Sequence, residues 1–572
     1  MSALAVWLLP MVAPFTAGGI ALLHRRGWPW LLPAAPVPAL LLAAAGPPEP
    51  PELAWILLDA ELMLDPLGRV LLGMTALLWM IAGWYARPLA RERLGVVSVW
   101  LFAVTGNIGL YLAGDVVSFL TLFALMTYAA YGLVVHDRTG RAQHAGRVHI
   151  AFAVLGEALL LVGALLAVAE AQSLALTSLA EATATADHRG LIIGFITAGF
   201  AIKAGVIPLH GWLPLAHPAA PVAASAVLSG AMIKAGLLGW LRLLPLGEAG
   251  LPSWSALLVA VGLVSAVGGV ALGLLQRDPK VVLAYSSVSQ MGLLAVLVGV
   301  GLGTPAAAPG AVATAAAYAL HHGFAKGALF LAVGMARRAR GPWRSREVRV
   351  GLALTALSLA GLPPTGGWVA KQWLKDAAAA GAGAGALAVA LPLAAVATTM
   401  LMGHLLVLTS NPTSMRGTEA GRLLPWAGAV VAALLAPWFV SAALPALPSP
   451  QLTLAGVWDG AWPVLVGAAG AAALLPWSRP RRAAPPALLP PGDIVVPAQR
   501  AARLLVARAL AHSATAARHA GDARRAAHGV AIAIAGPGGS VERVDERLRR
   551  WSTVGALFAL LLLALRAVLG VV

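Results

Sequence analysis

Long apolar runs, separated by short polar or charged stretches, fill nearly the whole chain. Each run holds about 20 residues, the length that an α-helix needs to cross the hydrocarbon core of a bilayer. The pattern predicts an all-α polytopic membrane protein with about sixteen transmembrane helices. The predicted spans lie near 2–23, 28–46, 66–86, 94–113, 116–135, 147–170, 189–208, 220–243, 254–275, 281–303, 310–335, 347–380, 385–408, 423–445, 460–477 and 552–571.

Charged residues in the loops predict the orientation. With the N-terminus outside, every basic loop falls on the cytoplasmic side, as the positive-inside rule requires. These loops read RPLARER, HDRTGR, QRDPK, RRARGPWRSRE, SMRGTEAGR and SRPRR. The first span has no basic residues before it and no convincing cleavage site, so we expect a retained helix rather than a signal peptide. The predicted location is a bacterial or archaeal cell membrane.

Composition removes several classes of function. Hydrophobic residues make up 59% of the 572 residues and charged residues 11%, against about 25% charged residues in a soluble domain. The chain has no Cys, which excludes disulfides, thiolate-held iron–sulfur clusters and Cys-ligated zinc. The net charge of +17 sits mainly in short loops and one late segment. We therefore expect no cofactor, no metal and no nucleic-acid partner.

The lysines are placed differently from the arginines. Only six of the 40 basic residues are Lys, and five of these lie inside or at the end of apolar spans. The five are Lys203, Lys234, Lys326, Lys371 and Lys375. Lys280, in QRDPK, is predicted to be a loop cation. A buried Lys can gain and lose a proton, whereas Arg stays charged, so the five are candidates for proton transfer. The structural alternative is that single lysines extend to the interface or form ion pairs.

Two of the predicted spans are interrupted. One reads GFAIKAGVIPLHGWLP and contains Lys203; the other reads LAGLPPTGGWVAKQWLK and contains Lys371. Proline cannot complete the helical hydrogen-bond ladder, and the freed carbonyls and half-helix ends offer sites for ions or water. Two such spans, five apart, indicate a duplicated unit. The alternative is that membrane helices simply tolerate Pro.

The central third of the chain resembles a known family. The runs FAIKAGVIPLHGWLPLAHPAAPVAASAVLSGAMIKAGLLGWLR, DPKVVLAYSSVSQMG, LHHGFAKGALFLAVG and LAGLPPTGGWVAKQW carry the likeness. They look like the proton-translocating antiporter-like subunits of respiratory complex I, and equally like the related subunits of Mrp cation/proton antiporters, hydrogenase-4 and formate hydrogenlyases. The resemblance covers about residues 94–408. It implies a core with two inverted five-helix repeats, each containing a broken helix.

This resemblance suggests an organisation of the chain. N-terminal transmembrane helices occupy 1–93, and the two repeats occupy 94–243 and 254–408. Further transmembrane helices follow at 423–477. Residues 478–551 are Arg-rich and are expected to form an amphipathic cytoplasmic segment that lies along the membrane or along partner subunits. The last transmembrane helix is expected at 552–572.

The resemblance also implies roles for individual residues. Lys203 matches the proton-carrying Lys of the first broken helix, and Lys234 matches the Lys that bridges toward the membrane centre. His322 and Lys326 match the His and Lys of the second repeat, and Lys371 matches the Lys of the second broken helix. The signature beside the first break places His210 next to this pathway, together with Trp212.

One position departs from the family pattern. The Glu that normally pairs with the first-repeat Lys is replaced by Ala124. Glu157, well inside the adjacent span, is the nearest candidate to replace it, because an isolated buried carboxylate is costly and needs a partner. The alternatives are a structural hydrogen-bonding role and a misplaced span.

The predicted function is proton translocation by a membrane subunit of a larger energy-coupling complex. No catalytic site is expected in this chain, although the complex could be a proton-translocating oxidoreductase. Expected partners are other membrane subunits, a peripheral redox or hydration module, the lipid bilayer, and protons, with Na⁺ as an alternative ion. Two rivals are a non-conducting scaffold and the membrane subunit of a dissolved-inorganic-carbon uptake complex. A stand-alone transporter is disfavoured, because a hard cation such as Na⁺ requires oxygen ligands that these spans lack.

Overall fold

The computed structural model describes residues 2–24, 28–51, 60–92, 94–336, 342–410 and 420–474. Within these ranges the regular structure is helical, and the only β-type pairings are two isolated bridges. The predicted all-α class is therefore confirmed. The predicted Arg-rich segment at 478–551 and the last span at 552–572 lie outside the described residues.

Seven helices are described in the N-terminal part. They are α1 (Ala3–His24), α2 (Leu31–Ala34), α3 (Val37–Ala45), α4 (Pro66–Glu92), α5 (Leu94–Leu112), α6 (Val116–Val134) and α7 (Gly140–Ala171). α6 begins where Asp115 accepts a hydrogen bond from the Ser118 amide at 2.8 Å, and α7 begins where Thr139 caps the Ala142 amide. Such caps satisfy amide groups that have no partner within the helix. α6 and α7 both line the pocket beside Lys203.

The first predicted break is confirmed in the middle of the chain. The elements here are α8 (Leu176–Thr185), α9 (Arg189–Ala204), α10 (Leu213–Ala219), α11 (Val222–Val227), a π-helical turn (Leu228–Met232), α12 (Lys234–Leu243), α13 (Pro252–Leu274) and α14 (Pro279–Gly303). α9 ends at Gly205, whose φ of 71° lies in the left-handed region that favours glycine. The π-helical turn between α11 and α12 was not predicted.

The second predicted break is also confirmed. After a 3-10 turn (Pro305–Ala307), the elements are α15 (Ala308–Ala336), α16 (Pro342–Ala360), α17 (Gly366–Ala379), α18 (Ala384–Thr409), α19 (Ala420–Val440) and α20 (Leu454–Ala473). α16 ends before Gly361, whose φ is 97°. Each half of the predicted duplication thus contains one helix that stops at a glycine with positive φ.

α14 lies at the centre of the described fold. Every residue from Pro279 to Leu302 is buried, so this helix is surrounded by protein. α13 packs closely against it. At their contact, a Cβ added to Gly262 would lie only 2.6 Å from the Gly292 carbonyl oxygen. Close approach at small residues is the usual way that membrane helices gain van der Waals contact.

Ten described helices are long and apolar enough to cross a membrane. Each predicted span from 2–23 to 423–445 overlaps one helix or consecutive shorter helices, and the described part of the span predicted at 460–477 lies in α20. The interrupted spans account for several of the shorter pieces. The chain is therefore a multi-pass membrane protein.

Candidate functional site

Lysines lie along the interior of the described fold. Lys234 and Lys326 are completely buried, with 0% of each residue exposed, and Lys203 and Lys280 are nearly so. Lys371 and Lys375 are partly buried, on α17. Because a charge in this environment needs polar partners, the contacts of each ammonium group indicate what it can do.

Lys203 occupies the last turn of α9, directly before the first break. Its Nζ donates to the Thr127 Oγ1 on α6 at 2.8 Å and lies 5.2 Å from the centroid of the Phe123 ring. A cavity beside the ammonium group is lined by Thr127, His149 and Trp212. It has about 20 Å³ of space for the centres of water molecules, and about 10–15 Å³ is enough to hold one.

Two aromatic side chains shape this pocket. Trp212 Nε1 donates to the Ile202 carbonyl at 2.8 Å, which satisfies a carbonyl at the end of α9. The His149 ring packs edge-on against Trp212, with the ring centroids 4.8 Å apart. His210, in the turn after the break, is fully buried and lies 6.0 Å from the Tyr285 ring. His149 was missed from the sequence, although a buried ionisable residue in an apolar span is a recognisable signal.

Glu157 lies near Lys203 but binds a tyrosine. The Tyr128 hydroxyl donates to its Oε2 at 2.5 Å. Glu157 and Lys203 interact electrostatically, but none of the ion pairs within 4.0 Å among the described residues joins them. Ala124, one turn before Tyr128 on α6, is half-buried. The pairing of Glu157 with Lys203 stays a prediction.

Lys234 lies directly after the π-helical turn and is the first residue of α12. Its Nζ donates to the Ser229 carbonyl, inside that turn, at 2.7 Å. π-helical turns leave backbone carbonyls displaced from the regular ladder and often occur at functional sites. Here the displaced carbonyl binds the buried ammonium group.

Buried polar groups of Ser229, Ser287 and Leu283 lie between Lys234 and Lys326. The Ser229 hydroxyl lies 2.6 Å from the Ser287 hydroxyl on α14, and the Ser287 hydroxyl donates to the Leu283 carbonyl at 3.1 Å. Lys326 Nζ, on α15, donates to the same carbonyl at 2.7 Å. The lysines of the two predicted repeats therefore share one polar network through α14.

Two buried histidines face this network. His322 and His217 interact electrostatically with Lys234 and Lys326. Neither ring nitrogen of either His has a hydrogen-bond partner among the described residues. The His217 ring instead stacks on Phe330, with the centroids 4.5 Å apart. His217 was not identified from the sequence, despite its place in the HPAAP motif.

The network continues toward Lys371. His321 Nε2 lies 3.0 Å from the Ser358 hydroxyl on α16, and His321 interacts electrostatically with Lys371. Lys371 Nζ donates to the Ala360 carbonyl, the last carbonyl of α16, at 2.7 Å. A cation at the C-terminal end of a half-helix is stabilised by the helix dipole. At the second break, the carbonyl that ends α16 therefore binds Lys371.

The prediction for Lys280 was wrong. It is not a solvated loop cation: it is buried in the first turn of α14, and its Nζ donates to the carbonyls of Ala220 at 2.6 Å and His217 at 3.2 Å. Asp278 and Pro279 do start a helix, as their spacing suggests. However, the end of α10 folds over this start and encloses the side chain. Both acceptors are about 60 residues away in sequence, so QRDPK alone does not reveal them.

Among the described residues, no three His, Asp or Glu side chains are arranged to hold a metal ion. The polar groups that surround Lys234, Lys326 and Lys371 are hydroxyls, histidines and backbone carbonyls, whereas Lys203 and Lys375 also interact with the carboxylates of Glu157 and Asp459. This chemistry suits transfer of a proton between neighbouring donors and acceptors.

Comparison with known proteins agrees with these features. The family model described as NADH:quinone oxidoreductase/Mrp antiporter, TM, matches residues 113–398. Hydrogenase-4 component B of Escherichia coli is 30% identical over an alignment of 340 residues that covers 55% of this chain and 50% of that protein. The NADH-quinone oxidoreductase subunit N of Polaromonas naphthalenivorans is 30% identical over an alignment of 333 residues that covers 54% of this chain and 67% of that protein. The chain spans about half the length of the first of these relatives.

Solved structures show the same fold. The Mrp complex from Dietzia sp. DQ12-45-1b contains a chain that aligns with a TM-score of 0.71 and 23% sequence identity, over 92% of this chain and 62% of that chain. An archaeal membrane-bound sulfane sulfur reductase contains one that aligns with a TM-score of 0.64 and 19% identity, over 82% and 99% of the two chains. Both solved structures are of complexes, and the second is described as an archaeal respiratory membrane complex.

Proposed function

This chain belongs to the NADH:quinone oxidoreductase/Mrp antiporter transmembrane family, and we propose that it moves protons across the membrane as one subunit of a larger energy-coupling complex. The observation that carries the proposal is the burial of Lys234 and Lys326 beside one group of polar contacts. The Ser229 carbonyl binds Lys234, the Leu283 carbonyl binds Lys326, and the hydroxyls of Ser229 and Ser287 touch between them. Burying two ammonium groups is costly. If Lys234 and Lys326 had only a structural role, apolar side chains could replace them without loss of stability.

The proposed route runs along the lysines. Lys203 exchanges a proton with water in its pocket, Lys234 and Lys326 pass it across the centre through water, and Lys371 passes it to the opposite side. The His322 and His321 rings lie between the central network and Lys371 and supply groups that can accept and release a proton. Two ammonium groups that interact repel each other, so charging Lys326 opposes charging Lys234. That repulsion would move the proton forward.

A proton suits this route better than Na⁺. A hard cation binds oxygen ligands, carboxylates above all, but the central carbonyls of Ser229 and Leu283 already bind ammonium groups, which repel another cation. The energy source would reside in partner subunits, as a redox arm or a hydration module. This chain would supply the membrane conductor.

A non-conducting scaffold is the second candidate. It is favoured by Ala124, which occupies the position of the usual carboxylate, and by Lys203, which binds the neutral Thr127 hydroxyl rather than an acid. The scaffold interpretation predicts that the buried lysines can be removed without effect on proton movement.

The test uses the complex purified through a tag on this chain and reconstituted into vesicles. Proton flux under an imposed membrane potential is followed with a pH-sensitive dye. We expect Lys234→Ala and Lys326→Ala to lower the flux by about 100-fold or more, with the subunit composition unchanged. Arg141→Ala, which removes an exposed cation on the surface, is the matched control and should be silent. Wild-type flux in both lysine variants would support the scaffold instead.

A further inference from the structure

An ion pair lies one helical turn beyond Lys371. Lys375, on the same helix α17, places its Nζ 2.9 Å from the Asp459 Oδ2 and 3.1 Å from the Asp459 carbonyl on α20. The Lys375 side chain is largely buried, whereas half of the Asp459 side chain is exposed. The pair therefore lies between the protein interior and the surface.

A cavity connects this pair to Lys371. Lys371, Gln372, Lys375 and Asp459 all line it, and it has about 20 Å³ of space for the centres of water molecules, enough for one. Lys371 and Lys375 also interact electrostatically. Asp459 thus lines the same cavity as the last lysine of the proposed route.

The ion pair is not needed to hold the two helices together. Trp368 Nε1 and Gln372 Nε2, both on α17, donate to the Gly456 carbonyl near the start of α20, at 3.0 and 2.9 Å. Trp373 Nε1 adds a bond to the Pro448 carbonyl at 3.1 Å. Partly exposed ion pairs contribute little stability, so neutral contacts account for this docking. The charges of Lys375 and Asp459 therefore contribute little to holding α17 against α20.

We propose that Asp459 accepts the proton that leaves Lys371, and that Lys375 closes this exit when no proton is passing. The proposal rests on the proposed function above. In the step, an Nζ–H bond of the Lys371 ammonium breaks and an O–H bond forms on the Asp459 carboxylate, through one water in the cavity. The neutral carboxylic acid no longer attracts Lys375, so the pair opens. Asp459 then releases the proton to water on its exposed side, and the ion pair forms again.

Loop charge predicts that this end of α17 and α20 faces the outer side. The exit would therefore open away from the cytoplasm. The carboxylate lies on α20, outside the two predicted repeats at 94–243 and 254–408, so a helix added after the repeats completes the route.

The experiment measures proton flux of the reconstituted complex with variants at Asp459. Asp459→Asn removes the acceptor and is expected to lower the flux by about 100-fold, while Asp459→Glu keeps a carboxylate and should retain most of it. Trp373→Phe removes a docking hydrogen bond without touching a charge, and should leave the flux near the wild-type value. Subunit composition and elution volume are compared for every variant.

Two outcomes would overturn the exit. One is wild-type flux in Asp459→Asn; the other is an equal loss in Trp373→Phe, which would assign the effect to docking. Lys371→Ala, measured in parallel, separates this proposal from the proposed function. If Lys371→Ala abolishes flux and Asp459→Asn does not, only the exit is wrong. If Lys371→Ala also conducts normally, the proposed function itself fails.

Discussion

The hydroxyl oxygens of Ser229 and Ser287 lie 2.6 Å apart, where the first half of the fold meets the central helix α14. Ser229 belongs to the π-helical turn whose carbonyl binds Lys234, and Ser287 donates to the carbonyl that binds Lys326. Each hydroxyl can both donate and accept a hydrogen bond. This contact therefore lies between the groups that bind the two buried lysines.

Replacing Ser287 by Ala should remove the contact between the two hydroxyls. Losing one partner of a buried hydrogen bond costs about 1–3 kcal/mol, and we expect the proton flux to fall by about tenfold. The adjacent Ser286 is equally buried, but its hydroxyl has no partner among the described residues, so Ser286→Ala is a matched control that should be nearly silent. Equal effects of the two substitutions would show that the contact has no special part in transport.

These contacts explain what could and could not be predicted from sequence. The breaks near Gly205 and Gly361 were predicted, because Pro and Gly act locally on the helix. The lysines were found because a charge inside an apolar run is conspicuous. By contrast, Ser229 and Ser287 are 58 residues apart, and no local pattern indicates that they meet. The burial of Lys280 depends on α10 folding over it, which is likewise a long-range contact.

Glu157 offers a test of the altered first repeat. Glu157→Gln should reduce flux, because it removes the carboxylate whose charge interacts with Lys203. Adding Ala124→Glu to that variant should restore part of the flux by returning a carboxylate to the family position. Tyr128→Phe removes the hydrogen bond to Glu157 and keeps its charge, so we expect a smaller effect. If Glu157→Gln conducts at the wild-type rate, Glu157 has only a structural role.

Lys280 should contribute to stability. Its ammonium group binds the buried carbonyls of His217 and Ala220 at the end of α10, and hydrogen bonds to charged groups contribute about 1.5–3 kcal/mol. Lys280→Met is expected to lower the temperature at which the detergent-solubilised protein aggregates by a few degrees. Arg141→Gln, at an exposed cation, should leave that temperature unchanged. No shift in Lys280→Met would mean that Lys280 is solvated in solution.

Orientation is testable by single-cysteine labelling, because the chain has no Cys. Glu248→Cys should react with an impermeant maleimide added outside the cell, and Arg138→Cys should react only after the membrane is opened. These expectations follow from the excess of basic residues in the predicted cytoplasmic loops. The opposite labelling pattern would invert the topology and with it the direction assigned to the exit at Asp459.

Substitution of Lys203 and Lys371 by Arg is the most direct test of whether these lysines must release a proton during transport. Lys203→Arg and Lys371→Arg keep a positive charge at each site, but Arg does not release its proton in proteins. Proton flux is measured with the reconstituted complex under an imposed membrane potential. If Lys203 and Lys371 transfer protons, both Arg variants should assemble normally and lose nearly as much flux as the corresponding Ala variants. Wild-type flux in both Arg variants would contradict it, because a fixed charge would then suffice where a transferable proton is claimed.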